Sequence, residues 1–204
     1  MTGERPALRV GIGGPVGSGK TTLVAELCAR LRDRYEVAVV TNDVNAREDA
    51  RLLARIGALP ANRIVGLDAG SCPHTTVGDD ATMNLAAVDG LIARHAGLDA
   101  VFIEGGDDLG DSTFDPELTD LVIYVVDVAA GEKAARRGSP GIAESDLLVI
   151  NKSDLAPAVG VSLMNLERDA ISVRQDRPYV FTNLKGGDGV DRVADFVVKQ
   201  GMLE

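Results

Sequence analysis

Residues 14–21 read Gly-Pro-Val-Gly-Ser-Gly-Lys-Thr, and this stretch decides the expected fold. It follows the apolar run Leu8 to Gly13 and opens a helical pattern that continues to Leu31, which is the strand–loop–helix context of a phosphate-binding loop. The backbone N–H groups of such a loop surround phosphate oxygens, and the helix N-terminus adds partial positive charge. A plain glycine-rich turn before a helix is the alternative. We expect the nucleotide phosphates to be bound by the loop residues Gly14, Pro15, Val16, Gly17, Ser18, Gly19, Lys20 and Thr21.

Strand-like apolar runs alternate with helical patterns along the rest of the chain. The runs are 9–12, 37–41, 63–67, 100–104, 121–127, 146–151 and 179–182, and the helical patterns are 22–35, 47–56, 81–95, 161–175 and 190–200. This alternation predicts an α/β fold of the P-loop NTPase, G-protein-like type, with a mostly parallel twisted sheet flanked by helices. We expect residues 1–7 to form a flexible N-terminus and residues 8–204 a single P-loop GTPase domain.

The bulk composition narrows the partners and the compartment. The 204 residues carry a formal net charge of −10 and no Trp, which disfavours binding to nucleic acid or to anionic membranes. No apolar stretch reaches transmembrane length, and Met1 to Ala7 has no signal-peptide pattern. Two distant cysteines, Cys28 and Cys72, give no disulfide framework. We therefore expect a cytoplasmic protein.

A second motif, at 151–154, indicates which base is bound. The sequence Asn151-Lys152-Ser153-Asp154 directly follows an apolar strand-like run, as in the guanine-recognition motif N-K-x-D. Asp154 can accept hydrogen bonds from the two adjacent donors of guanine, whereas adenine would present an acceptor to it. Lys152 can lay its alkyl stem over the base, and Asn183 and Lys185, after the last strand, are weaker candidates for completing the pocket. A strand that ends in a polar turn, with Asp154 as a helix cap, is the alternative.

Three carboxylates follow predicted strands and should lie at the same sheet edge as the phosphate loop. They are Asp43, Asp68 and Glu104. Nucleotide hydrolysis needs carboxylates near the phosphates and Mg²⁺, and the Thr21 hydroxyl is a further oxygen ligand. We expect Thr21, Asp43 and Asp68 to bind magnesium, and the catalytic set to be Lys20, Thr21, Asp43 and Glu104. The alternative for any one carboxylate is that it merely solvates the start of a loop.

The segment Cys72-Pro73-His74 is a possible transition-metal element. Pro73 biases Cys72 toward extended backbone, and alternate residues of an extended segment face the same side. One copy supplies two ligands, so two copies across a symmetric dimer would supply four. Such a set suits tetrahedral Zn²⁺ or square-planar Ni²⁺. Without a dimer, a buried loop thiol is the alternative.

Together these segments resemble the UreG family of urease accessory GTPases, over about Leu8 to Val198. The specific matches include the phosphate loop, Cys-Pro-His-Thr at 72–75, Val-Asp-Val at 126–128 and the run Ser145 to Pro157. The resemblance implies a slow, Mg²⁺-dependent GTPase that dimerises on GTP and binds nickel through Cys72 and His74 of both subunits. It also implies partners: the accessory proteins UreD/UreH, UreF and UreE, and apo-urease. The chain departs from the family pattern at 68–71, 76–80 and 105–109.

The resulting expectation is a GTP-hydrolysing metallochaperone that couples GTP-dependent dimerisation to nickel delivery during urease maturation. Three other functions stay open at this point. One is a metallochaperone GTPase for another metalloenzyme or metal. Another is a P-loop kinase for a small molecule, which the guanine motif disfavours because such kinases mostly use ATP. The third is a module that binds GTP and metal but hardly hydrolyses GTP by itself.

Overall fold

The computed structural model describes residues 6–42, 46–67, 77–105, 114, 117–129 and 139–202, and for 77–81 and 202 the backbone alone. A seven-stranded sheet with strand order β3-β2-β4-β1-β5-β6-β7 forms its centre, and every neighbouring pair is parallel. The α/β fold expected from the sequence is confirmed. The strands are β1 (Leu8–Gly13), β2 (Val37–Thr41), β3 (Ile64–Gly66), β4 (Ala100–Glu104), β5 (Leu121–Asp127), β6 (Leu147–Asn151) and β7 (Tyr179–Phe181).

Helices connect the strands and cover the sheet. They are α1 (Lys20–Leu31), α2 (Ala46–Arg55), α3 (Val77–Arg94), α4 (Pro140–Glu144), α5 (Leu163–Arg174) and α6 (Val190–Val197). Short 3₁₀ turns lie at Ala61–Arg63 and Ser153–Leu155, and a π-helical turn at Val198–Met202 extends α6. Every helix in the described ranges falls short of the length and apolarity needed to cross a membrane.

The apolar core lies on both faces of the sheet, as a parallel sheet requires. Alternate residues of one strand therefore serve different layers: Val37 and Val39 belong to the core layer that includes residues of α1, whereas Ala38 and Val40 belong to the layer that includes residues of α3. On β1, Val10 and Ile12 fill the first layer. At Gly11 an added Cβ would lie 2.7 Å from the Phe114 ring, so the opposite face of β1 is occupied by that ring. The continuous apolar runs of the sequence reflect this burial on both faces.

Among the differences from the predicted helices, the start of α1 and the presence of α4 have local reasons. Helix α1 begins at Lys20 and not at 22, because Gly19 takes a left-handed conformation (φ 108°) and turns the chain directly into the helix. Helix α4 was not predicted at all. It has only five residues and opens with Pro140-Gly141, a pair that usually marks a turn, although Pro is well tolerated in the first turn of a helix.

Arg174 is a buried residue whose interior position no sequence pattern predicts. It is 2% exposed and donates to the carbonyl oxygens of Ile142, Ser145 and Pro178, and to the Ser145 hydroxyl. Burial lowers the pKa of its guanidinium to about 10, which still leaves it charged at neutral pH. These bonds tie α5 to the end of α4 and to the residue before β7. They thereby fix the side of the sheet that carries residues 151–155.

Candidate nucleotide site

The phosphate loop lies where β1 ends and α1 begins, between the ends of β5 and β6. Gly14 has φ 140°, and a Cβ at this position would lie 2.1 Å from the Val125 carbonyl oxygen of β5. At Gly19 a Cβ would lie 2.4 Å from Nδ2 of Asn151 at the end of β6. Glycine is therefore required at both positions, by close contact as well as by backbone conformation. At these two positions the loop lies against the neighbouring strands with no room for a side chain.

Lys20 lies buried in the first turn of α1, with its ammonium inside the loop. Its Nζ donates to the carbonyl oxygens of Gly14 (2.9 Å) and Pro15 (3.3 Å), and the side chain is 5% exposed. The ammonium is thus held at the loop by acceptors that phosphate oxygens could replace. This position agrees with the predicted contact between Lys20 and the nucleotide phosphates.

Ser18 contributes a buried hydroxyl to the same loop. The residue is 1% exposed, and within the described part of the chain its Oγ has no hydrogen-bond partner. A buried polar atom without a partner is costly, so its presence calls for a ligand or water. A phosphate oxygen would satisfy it. This orphaned hydroxyl, together with the bound Lys20 ammonium, shows that the loop fits a phosphate group.

Thr21 and Glu104 form the candidate magnesium site. Glu104 ends β4, is fully buried, and accepts a hydrogen bond of 2.6 Å from the Thr21 hydroxyl through Oε1. A hydroxyl and a carboxylate oxygen are ligands that Mg²⁺ prefers, so these two residues fit the ion. The sequence predicts Glu104 as a catalytic residue and not as a metal ligand. Its contact with the Thr21 hydroxyl makes it a candidate magnesium ligand as well. The other predicted residues here, Asp43 and Asp68, lie outside the described residues.

Asn151 joins the predicted base-recognition turn, residues 151–154, to the phosphate loop. Its Nδ2 donates to the Ser18 carbonyl (2.8 Å), and its Oδ1 accepts from the Thr182 hydroxyl (3.2 Å) and the Leu184 N–H (3.1 Å). The residue is 4% exposed, so the amide satisfies three protein groups in the interior. It acts as a brace between three segments of the site. This bracing role involves residues far apart in sequence, and the motif alone did not reveal it.

Lys152, Asp154 and the loop after β7 complete the region. Lys152 Nζ donates to the Gly17 carbonyl (2.7 Å) and forms an ion pair of 3.1 Å with Asp127. Asp154 lies in the 3₁₀ turn with an exposed side chain. Asn183 uses its Oδ1 to accept from the Gly186 N–H (3.1 Å), and Lys185 is exposed. The carboxylate predicted to read guanine is thus open to solvent beside the loop, whereas Asn183 shapes its own turn. Contact of these residues with a base stays a prediction.

The predicted nickel ligands, Cys72 and His74, lie outside the described residues. Within the described ranges, no group of three or more His, Cys, Asp or Glu residues is arranged to hold a metal ion. The other cysteine, Cys28, is buried on α1, and burial raises the pKa of its thiol to about 12. His95 at the end of α3 hydrogen-bonds through Nε2 to the Asn62 carbonyl oxygen (3.0 Å). Cys28 and His95 are therefore poor competitors for a metal.

Replacing Asn151 with alanine is expected to lower the free energy of unfolding by about 2 kcal/mol, because the Ser18 carbonyl, the Thr182 hydroxyl and the Leu184 N–H would lose their partner. Affinity for GTP and GDP should fall by the same factor, since the loop that we expect to bind the phosphates loses its brace. Chemical denaturation and nucleotide titration measure the two effects. Asn165→Ala on α5, which removes a longer bond to Arg168, is the matched control. An Asn151→Ala variant with the parent's denaturation midpoint would contradict the bracing role.

Comparisons with known proteins agree with this geometry. The family model described as the CobW/HypB/UreG nucleotide-binding domain matches residues 8–181. The hydrogenase maturation factor HypB from Archaeoglobus fulgidus superposes with a TM-score of 0.76 at 24% identity, over 95% of this chain and 90% of that chain. HypB from Helicobacter pylori, solved in complex with nickel, gives a TM-score of 0.74 at 18% identity, over 95% and 86%. The signal recognition particle receptor FtsY from Elizabethkingia anophelis, solved with GDP, gives 0.61 at 18% identity, over 94% and 64%.

These findings support part of the sequence interpretation. The structural likenesses establish the fold, and the family model covers most of the chain. That model joins UreG and HypB in one description, so the narrower resemblance to UreG stays a prediction.

Proposed function

Because the chain belongs to the CobW/HypB/UreG family of nucleotide-binding domains, we propose that it is a GTP-hydrolysing metallochaperone that delivers nickel during urease maturation. One observation carries the GTP assignment. The turn that contains Asn151 and Lys152 is bonded directly to the phosphate loop at Ser18 and Gly17, and it leaves Asp154 exposed at the adjoining position. Phosphate and guanine recognition would thus occupy one continuous site.

The phosphate end of this site is prepared for hydrolysis by the chain's own residues. Lys20 exchanges its bonds with the Gly14 and Pro15 carbonyls for phosphate oxygens, and its charge offsets the negative charge that develops during phosphoryl transfer. Thr21 and Glu104 would hold Mg²⁺. When bound, that ion neutralises charge on the β- and γ-phosphates. Glu104 is fully buried and so provides a fixed carboxylate at this edge. We propose Asp43 and Asp68 as further residues of the same edge.

The nickel cargo is proposed to bind through Cys72 and His74 of two subunits. One chain offers only two ligands, so a complete four-ligand shell needs a dimer. GTP would favour the dimer by ordering the segments that hold Asp43 and Asp68, and Asp68 is only four residues from Cys72. Hydrolysis would then loosen the dimer and release the metal. The HypB structure from Helicobacter pylori in complex with nickel supports the idea that this fold carries nickel. Zn²⁺ is a possible competitor for the same ligands.

The chain has two cysteines and two histidines, so Cys28 and His95 serve as controls for Cys72 and His74. We expect the parent to be a dimer with a non-hydrolysable GTP analogue plus Ni²⁺, and a monomer with GDP, when its mass is measured by light scattering. Cys72→Ala and His74→Ala should lose Ni²⁺ binding by calorimetry, whereas Cys28→Ala and His95→Ala should retain it. A parent that stays monomeric with analogue and Ni²⁺, or a Cys72→Ala variant that binds Ni²⁺ as tightly as the parent, would contradict the proposal.

The client enzyme needs a separate experiment, because the family model also includes HypB. We propose urease, on the basis of the Cys-Pro-His element and the run Ser145 to Pro157. The nickel-loaded protein with GTP should activate apo-urease in the presence of UreD/UreH and UreF, with UreE as nickel donor, and Cys72→Ala should not. A chain that shows GTP-dependent nickel binding but never activates urease would be a metallochaperone for another metalloenzyme. A chain that phosphorylates a small acceptor would instead be a P-loop kinase.

A further inference from the structure

Two consecutive residues, the last one of β6 and the one that follows it, bind two consecutive carbonyls of the phosphate loop. Asn151 donates to the Ser18 carbonyl at 2.8 Å, and Lys152 donates to the Gly17 carbonyl at 2.7 Å. A phosphate loop works only if its N–H groups face inward, which requires its carbonyls to find hydrogen-bond donors elsewhere. Asn151 and Lys152 provide donors for two of these carbonyls.

The two bonds differ in how firmly their donors are held. The Asn151 amide is buried and fixed by Thr182 and Leu184. Lys152 is a flexible side chain, about one third exposed, on a residue with φ 60° and ψ 36°. A left-handed conformation is costly for a residue other than Gly, Asn or Asp, so it persists only where the surrounding contacts enforce it. Backbone bonds such as the one from the Leu155 N–H to the Lys152 carbonyl hold the turn, but the position of the lysine ammonium depends on the groups that it contacts.

Asp127 lies where its carboxylate can hold the Lys152 ammonium in place. It is the last residue of β5 and the register partner of Asn151 across the β5–β6 pair. Its Oδ2 lies 3.1 Å from Lys152 Nζ, and its side chain is 20% exposed. The ammonium is thus held between a carboxylate fixed on the sheet and a carbonyl of the phosphate loop.

We propose that Asp127 is a positioning residue for nucleotide binding. It keeps the Lys152 ammonium on the Gly17 carbonyl, so that the base-recognition turn and the phosphate loop form one rigid unit. Lys152 can then offer its alkyl stem to the base in a fixed orientation. This inference rests on the proposed function, because it concerns the binding of a guanine nucleotide at that site.

The direction in which nucleotide affinity changes when Asp127 loses its charge distinguishes a positioning role from a purely electrostatic one. Asp127 places negative charge next to a site for an anionic ligand, and removing that charge by itself should tighten nucleotide binding. A positioning role predicts the opposite. When Asp127 no longer holds the ammonium, the Gly17 carbonyl and the lysine stem become mobile, and the nucleotide should dissociate faster.

The test uses fluorescent GDP and the full chain. We expect Asp127→Asn to weaken affinity about fivefold, mostly through faster dissociation, as suits a partly exposed ion pair. In a Lys152→Met background the same change should cause no loss, because there is no ammonium left to hold. Asp195→Asn, which removes an exposed carboxylate on α6, is the control for net charge and should match the parent. Circular dichroism melting checks that each variant is folded.

Each outcome bears on the proposal. Unchanged or tighter GDP binding by Asp127→Asn would overturn it, and so would an equal loss in the Lys152→Met background, which would indicate a purely structural role. If Asp127→Asn does not fold, Asp127→Glu replaces it. Asp127→Glu keeps the negative charge, so GDP should still dissociate slowly from this variant when Lys152 is present. Fast dissociation of GDP from it would overturn the proposal. If the parent binds no guanine nucleotide, the proposed function and this inference are both overturned. If the parent binds GDP and Asp127→Asn binds it with the same affinity, only the inference is overturned.

Discussion

Lys20→Ala is expected to lower the rate of GTP hydrolysis by at least about 100-fold, or about 2.7 kcal/mol in activation free energy. The lysine is the charged donor at the centre of the phosphate loop, and it is already held there by the Gly14 and Pro15 carbonyls before any phosphate arrives. A preorganised donor needs little rearrangement during the reaction, so removing it raises the free energy of the transition state directly.

Release of inorganic phosphate under saturating GTP measures this effect. Lys199→Ala is a suitable control, because Lys199 is exposed in the turn that extends α6 and lies outside the proposed site. Circular dichroism melting checks that Lys20→Ala is folded. Phosphate release at the parental rate by a folded Lys20→Ala variant would show that the phosphate-loop assignment is wrong.

The strands and most helices could be predicted because their signals are local. A parallel strand that is buried on both faces appears as a continuous apolar run, and β2, β4 and β5 have the predicted bounds. The start of α1 could not be placed correctly, because the left-handed Gly19 brings Lys20 and Thr21 into the first helical turn. Helix α4 escaped prediction because Pro140-Gly141 looks like a turn when it is read without the rest of the fold.

The site was predictable by residue type but less so by role. The motif identified Asn151 and Lys152 as residues of the nucleotide site, and the structure adds that their side-chain donors bind the phosphate loop. Those contacts join residues more than 130 positions apart, and no local pattern encodes them. The same applies to Asp127, which gains its place from the register between β5 and β6. Glu104 was predicted at the correct sheet edge, but its bond to Thr21 depends on the pairing of β4 with β1.

Asp154 is the one residue of the base motif whose side chain is exposed, and this makes it the sharpest test of base identity. Replacing it with asparagine should weaken GTP binding by roughly 2–4 kcal/mol, because a carboxylate that accepts two hydrogen bonds from guanine becomes an amide with a donor facing a donor. The loss should be equal for GTP and GDP, since the phosphates are not involved. Stability should hardly change, because the removed charge is solvated in the folded protein.

The same substitution predicts a gain with a different base. Xanthine carries a carbonyl where guanine has its 2-amino group, so the asparagine amide could donate to that carbonyl while its oxygen still accepts from N1–H. Asp154→Asn should therefore bind xanthosine triphosphate more tightly than GTP, whereas the parent should prefer GTP to both xanthosine triphosphate and ATP. Calorimetric titration with the three nucleotides measures this, and Asp188→Asn, at another exposed carboxylate in the loop after β7, is the control. Equal affinity of the parent for GTP and ATP would contradict the guanine assignment. A carboxylate that accepts hydrogen bonds from two adjacent donors of guanine cannot bind adenine equally well, because adenine presents an acceptor there.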